Sequence, residues 1–307
     1  MSAIGEPTKK PLYAAIFILP ALLLYVLFLV YPLISSLWGS LFDWNGLTRG
    51  GFIGVTNFAR LFDSMYLPRL LGAFNHNVLW FLGIMVLENG VGLIFAHLLY
   101  QAPVGHKVYR TLYFIPATLS PIVVGALWRL LLHPSGGLVN KLLMWVGILK
   151  QPFPWLGESS TALASLIFVD AWNWIGFPML VFLAGMNDIP PEVLEASYLD
   201  GASRFKTLVR VVLPLIVPSI TTISVLTIIN TFNTFDTVYI MEGLQGNPYY
   251  STDVLGTMFY RLAFGAQGGS GITETGLSLA LATMMFIFIV LATVLVIKVL
   301  QRREVRF

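Results

Sequence analysis

The sequence predicts an all-α, polytopic membrane protein with six transmembrane helices. Three observations carry that reading. Of 307 residues, 57% are hydrophobic and 11% charged, whereas a soluble globular chain carries about 25% charged residues. Six stretches each supply the roughly 20 mainly apolar residues that a helix needs to cross the hydrocarbon layer. The basic residues are in excess, and at higher density, in the tails and short connections on one side of those stretches. An ordinary soluble domain is thereby set aside, and so is a disordered chain, which is poor in apolar residues. A net charge of +3 is too small an excess to suggest nucleic-acid binding. There is no cysteine, which excludes disulfides, thiolate metal sites and cysteine catalysis.

The first stretch covers about 12–33 and follows Lys9 and Lys10. Its apolar run exceeds the core of about 7–15 residues usual in a secretory signal. The segment Tyr31-Pro32-Leu33-Ile34-Ser35-Ser36-Leu37 is also a poor cleavage site, so a retained span is expected. The others are expected near 78–100, 112–132, 161–185, 215–240 and 276–299. With both termini in the cytoplasm, 11 of the 18 Lys and Arg residues fall inside (11 + 7 = 18). The inside loops are also the shorter ones, as the positive-inside rule requires. Tyr31, Trp38, Trp44, Tyr109 and Tyr113 mark expected headgroup interfaces. Pro20, Pro116, Pro121, Pro178 and Pro218 each remove a backbone donor and can bend a helix. Bent helices in membranes are tolerated where they face protein or a watery path. No short-period repeat or low-complexity linker divides the chain.

The connector between the fourth and fifth stretches, 186–214, is too polar for a plain turn. Pro190 and Pro191 suit a first helical turn, and Glu192 lies near the positive end of that helix dipole. Val193, Leu194, Ala196, Ser197 and Leu199 keep a helical rhythm, and Gly201 makes a flexible break. Arg204, Lys206 and Arg210 begin a second segment that Pro214 closes. A short helix along the cytoplasmic face is expected. It is either a surface helix without a partner or a docking element.

Glu195-Ala196-Ser197, Gly201 and Val211-Val212-Leu213-Pro214 resemble the EAA loop of binding-protein-dependent ABC importer permeases. Ser197 stands where the family pattern has Ala, and Val211 where it has Ile; the spacing is intact. Asp200-Gly201-Ala202-Ser203-Arg204 looks typical of the sugar-importing branch. Asn57-Phe58, Pro116 to Trp128, Gly137-Leu138-Val139-Asn140, Leu183-Ala184-Gly185 before Ile189-Pro190, and Phe232 to Tyr239 are similar to the first sugar-permease subunit. After Tyr239 the family's Gly-Gly-Pro turn is replaced by Met241-Glu242-Gly243-Leu244-Gln245-Gly246-Asn247-Pro248, which leaves the shape of that loop open.

The resemblance implies a type I importer permease fold in a bacterial or archaeal inner membrane. It implies a cytoplasmic tail at 1–11, a first span and outer loop at 12–72, the transport domain at 73–299 and a tail at 300–307. It implies four kinds of companion: a second permease subunit, two ATPase subunits, an extracytoplasmic solute-binding protein and a sugar cargo. The chain has no G-x-x-x-x-G-K-[ST] phosphate loop, so it is expected to need no cofactor of its own. ATP and Mg would be bound by the ATPase chains. Glu195 and Gly201 are the expected core of the ATPase contact, with Glu192, Ala196 and Asp200 beside them. No catalytic residue is expected.

Polar groups inside a span are costly and point to function. Asp170, Asn173, Trp174 and Phe177 share one face of the fourth stretch at i, i+3, i+4, i+7 spacing. Thr227, Asn230, Thr231 and Thr234 do the same in the fifth. Carboxylate, amide and indole on one face suit sugar hydroxyls and ring faces. Hydroxyl side chains also hydrogen-bond within membrane helices without any ligand. Asn233 and Asp236 extend the polar set outward, and Glu88 beside Asn89 in the second stretch could pair across helices or carry a proton. The four His residues have no ligand spacing, so no metal site is expected.

Three activities remain open: a sugar importer, an ABC permease for another solute such as glycerol phosphate, and a proton-coupled carrier using Glu88, Asp170 and Asp236. An anionic solute would favour basic groups along the path, and none lies deep in a stretch. A carrier usually shows an internal repeat and would leave the polar loop unexplained.

Overall fold

The computed structural model describes residues 10–101, 104–265 and 273–302, with side chains from Phe17 onward. Lys9, Arg303 and Arg306, which entered the orientation count, lie outside the described residues. Three helices are long and apolar enough to cross a membrane: Phe17–Gly39, Leu67–Tyr100 and Thr275–Gln301. Three bent pairs complete six candidate spans. They are His106–Thr118 with Pro121–Leu131 (97°), Ala162–Trp174 with Gly176–Asn187 (47°), and Arg204–Leu215 with Val217–Phe232 (71°).

The bends fall where the backbone is short of donors. In the third span Leu119 and Ser120 are extended, and the Ser120 hydroxyl caps the next helix by accepting from the Val123 amide at 3.4 Å. Pro116 and Pro121 flank that break. In the fourth, a Cβ on Gly176 would lie 2.5 Å from the Tyr113 carbonyl. Only glycine permits that approach of the third span to the bend. In the fifth, Ile216 leaves helical geometry between Pro214 and Pro218.

Boundaries differ from expectation most in the second and fifth spans. The second span begins at Leu67 rather than near Val78, with Pro68 in its first turn. The fifth ends at Phe232 rather than near residue 240. There Asn233 Nδ2 donates to the Ile229 carbonyl (2.8 Å) and the Thr234 hydroxyl to that of Asn230 (3.2 Å), satisfying terminal acceptors. A separate helix, Asp236–Glu242, follows. The one departure from an all-helical fold among the described residues is a small antiparallel hairpin, Phe42–Trp44 with Arg49–Phe52.

Buried residues form three clusters. One joins the second, third and fourth spans around Trp80, Trp128 and Leu166. A second joins the fifth and sixth spans to the outer helix Leu255–Phe264 around Phe232, Leu255 and Leu277. A third holds the second half of the fourth span against the ends of the second and fifth, around Met179, Met186 and Val212. The first span is different. Its apolar window is 0% buried, and only its last turns, Tyr31–Gly39, pack on the sixth.

Several motif residues turn out to be anchors. Asn57 Nδ2 donates to the Ser40 and Phe42 carbonyls, both at 2.9 Å. Asn140 accepts from Trp155 Nε1 and donates to the Phe153 carbonyl, each at 2.9 Å. The loop left open after Tyr239 is held by buried Arg261, which donates to Asp253 (2.5 and 2.7 Å) and to the Leu244 carbonyl (2.7 Å). Glu274 accepts from Arg60 (2.7 Å) and Tyr66 (2.6 Å), pinning the connection between the first and second spans to the sixth. Partial burial and that carboxylate push the Tyr66 hydroxyl up to about 12. Of the expected interfacial rings, Trp38, Tyr31 and Tyr109 are exposed, whereas Tyr113 stacks internally on Phe95 at 4.3 Å.

Candidate functional site

A cavity of about 400 Å³ opens where the second, fourth and fifth spans meet. Asp170, Trp174, Phe177, Thr227, Asn230, Thr231 and Thr234 all line it. The two stripes read from the sequence therefore face one space. Asn173 does not join them. Its side chain is buried, and its neighbours orient the amide so that it donates to the Pro116 carbonyl (2.8 Å) and accepts from Trp174 Nε1 (3.2 Å). Asn173 braces the indole from behind instead of facing the cavity.

The third span explains the difference, because its Pro116 carbonyl takes the Asn173 amide. The bend after Trp174 lies between Trp174 and Phe177 and leaves both rings partly open, at 43% and 39% exposure. The hydroxyls of Thr227 and Thr231 also bond back to the Ile223 and Thr227 carbonyls, a habit of threonine in membrane helices.

Asp170 ties three elements together. One oxygen accepts from Trp80 Nε1 at 2.9 Å and the other from the Thr237 hydroxyl at 3.4 Å. Trp80 belongs to the second span and Thr237 to the short helix beyond the fifth. The second span adds Glu88 and Asn89 through a wide turn, Met85–Gly90. Asn89 Nδ2 donates to the Thr227 hydroxyl at 2.8 Å. Sequence reasoning missed Trp80 and Thr237 as partners of Asp170. A signal existed, because Asn77, Trp80, Ile84 and Glu88 recur at three- and four-residue intervals.

Glu88, Asp170 and Asp236 all line the cavity, and among the described residues no Lys, Arg or His does. No group of three or more His, Asp or Glu among the described residues could hold a metal. A roomier groove, about 700 Å³, runs along the fifth and sixth spans and is lined mostly by apolar groups such as Phe259, Met285 and Ile289. Its polar lining is limited to Asn233, Tyr260 and Thr293.

The connector forms the expected short helix, Pro191–Leu199. Glu192, Glu195, Ala196 and Asp200 are exposed and Ser197 is buried. The Ser197 hydroxyl meets that of Thr207 at 3.2 Å and donates to the Leu194 carbonyl at 2.8 Å. This gives Ser197 a use that alanine could not serve. Gly201 has φ +75°. Its amide bonds the Tyr198 carbonyl, and the Ala202 amide reaches back to that of Ser197. This is a Schellman stop with glycine at the left-handed position. Gly201 therefore makes a defined reversal, not the flexible break expected. Ser203 caps the following turn at the Lys206 amide. Val193 and Leu194 pack into the third buried cluster with Met186 and Val212, so the helix is seated on the spans that line the cavity.

A bundle of bent apolar helices around a polar cavity, with an acidic helix at one end, defines a membrane permease. A family model described as the binding-protein-dependent transport system inner membrane component matches residues 88–306, and the chain belongs to that family. It is thus a transport subunit, not an enzyme. A probable ABC transporter permease of Bacillus subtilis, YesP, is 31% identical over 293 residues, covering 94% of this chain and 91% of the relative. The multiple sugar-binding transport system permease MsmF of Streptococcus mutans is 29% identical, covering 94% and 95%. A crystal structure of a bacterial alginate ABC transporter, in complex with an alginate pentasaccharide-bound periplasmic protein, superposes with a TM-score of 0.76. It shares 23% identity and covers 96% of this chain and 95% of that one. Family membership removes the proton-coupled carrier from the alternatives.

Proposed function

We propose that the chain forms half of the membrane pathway of an ATP-driven saccharide importer. A second permease subunit supplies the other half. Two ATPase subunits bind ATP and Mg on the cytoplasmic side, and an extracytoplasmic solute-binding protein delivers the cargo. Both termini and the Pro191–Leu199 helix then face the cytoplasm. The sugar assignment is supported by the multiple-sugar transport system to which the Streptococcus relative belongs and by the cavity's mixture of rings, amides and carboxylates.

One observation carries the coupling role. The Pro191–Leu199 helix fixes one side to its own chain through Ser197, Val193 and Leu194. It leaves Glu192 and Glu195 exposed, with no partner among the described residues. Tyr198, Leu199 and Phe205 are exposed beside them, at 54%, 88% and 74%. Exposed carboxylates flanked by large apolar groups suit a protein partner better than water. When the ATPase pair closes, a helix seated on cluster residues of the fourth and fifth spans carries its displacement to the cavity walls. Asp170, Trp174 and the fifth-span amides and hydroxyls then take and release sugar hydroxyls as the path opens to one side and then the other.

Uptake measured with co-purification of the ATPase tests this reading. Glu195→Lys should abolish both while membrane insertion stays normal. Normal uptake by that variant would sink the coupling role.

A further inference from the structure

We propose that the helix Leu138–Trp145 lies in the headgroup layer of the membrane, with its outward face in lipid and Lys141 and Lys150 holding anionic phospholipid. The inference goes beyond the transport reading and does not depend on the cargo.

The helix joins the third span to the fourth, at the end of the fourth opposite the Pro191–Leu199 helix. It is tucked against the end of the third span. The Gly137 amide donates to the His133 carbonyl at 2.9 Å, and Asn140 Nδ2 donates to the Pro134 carbonyl at 3.1 Å. A helix held so close to the end of a span lies where hydrocarbon gives way to headgroups.

One face is fixed inward. Asn140 is 1% exposed and also engages Phe153 and Trp155, while Val139 packs on the first buried cluster. Rolling the helix would break those bonds. The other face carries Leu138, Leu142 and Trp145, at the i, i+4, i+7 spacing of one helix side. Val146 and Ile148 continue it. All five are exposed, Trp145 at 84% and Ile148 at 70%. An apolar stripe left open in this way marks a membrane or protein contact.

The charges select between the two. From 132 to 157 the chain has Lys141 and Lys150 and no Asp or Glu. Both lysines are exposed and enter no ion pair among the described residues. Protein interfaces are poor in Lys. Lys beside Trp and Leu is the composition of a helix lying in a headgroup layer, where Trp is favoured. Each Lys near an anionic lipid surface adds to the attraction.

The chain has no cysteine, so a bimane fluorophore can be placed at Trp145→Cys, or at Leu142→Cys as a second site on the same face. The labelled chain is assembled with its partner subunits in nanodiscs, and the unsubstituted complex gives the background from the partners. Brominated phosphatidylglycerol and brominated phosphatidylcholine are compared at equal share. Both should quench the label, phosphatidylglycerol about threefold more strongly. Lys141→Gln combined with Lys150→Gln should erase that preference and leave the quenching by phosphatidylcholine. Quenching by iodide in the water phase in place of lipid overturns the membrane contact. So does a label that neither quencher reaches, which means that another subunit covers the face, and so does lipid quenching lost when solute-binding protein is added. Equal quenching by the two lipids, or a preference that survives the double variant, overturns the role of the lysines. None of these outcomes bears on the importer reading, which the uptake measurement tests separately.

Discussion

The connector helix and the central cavity hold their acidic groups in opposite ways. On Pro191–Leu199, Glu192 and Glu195 are exposed and have no hydrogen-bond or ion-pair partner among the described residues. In the cavity, Asp170 is clasped between an indole and a hydroxyl from two other elements. A solvated carboxylate costs the fold little and is free to meet another protein. A desolvated one must be satisfied internally, so it shapes the wall as well as the chemistry. The same residue class is thus left to the surface in one place and built into an internal scaffold in the other.

That contrast predicts separable failures. The largest effect is expected from Asp170→Ala. It leaves Trp80 Nε1 and the Thr237 hydroxyl without their acceptor, at a cost of roughly 2–3 kcal/mol. Thermal unfolding of the detergent-purified complex should fall, and uptake with it; an unchanged melting temperature would break the comparison. Glu195→Ala should do the reverse, leaving the melting temperature of the isolated chain unmoved while ATPase co-purification drops about tenfold or more. A large stability loss there would mean that the helix serves its own chain.

Smaller changes sharpen the same contrast. Gly201→Ala places a side chain at φ +75° with open space around it, so the only cost is the left-handed backbone, about 1 kcal/mol. Gly201→Asn should recover part of it, since asparagine tolerates that region. Hydrogen exchange across 196–203 would read both, and equal protection in all three proteins would refute the Schellman stop as the reason for glycine. Ser197→Ala should be milder still, near 1 kcal/mol or less. Its expected signature is faster exchange at Thr207, with the helix retained.

Legibility differed between the two regions for a physical reason. The connector is local: Pro at its start, a three-to-four rhythm and glycine at its stop lie within one short segment, so spacing sufficed to place it. The stripes on the fourth and fifth spans were also legible, because a helix puts i, i+3, i+4 and i+7 on one side. What spacing missed was the approach of the third span, whose Pro116 carbonyl takes the Asn173 amide and keeps it buried while Trp174 stays open. Nor could it pair Asp170 with Trp80 or Thr237, which lie 90 and 67 residues away. The small hairpin and the early start at Leu67 were missed for a similar cause. Both depend on contacts with other elements rather than on local apolar content.

The sequence by itself determined that this chain is a bundle of membrane helices, where most crossings lie, and which loop carries a short polar helix. Apolar length, periodicity and turn residues are properties of neighbouring positions and need no fold to be read. Only the tertiary structure decided that Glu88, Asp170 and Asp236 share one cavity, that Gly201 is a left-handed stop and that Asn173 is a brace. Those outcomes depend on how bent helices approach one another, because burial and hydrogen bonding are set by groups far apart along the chain.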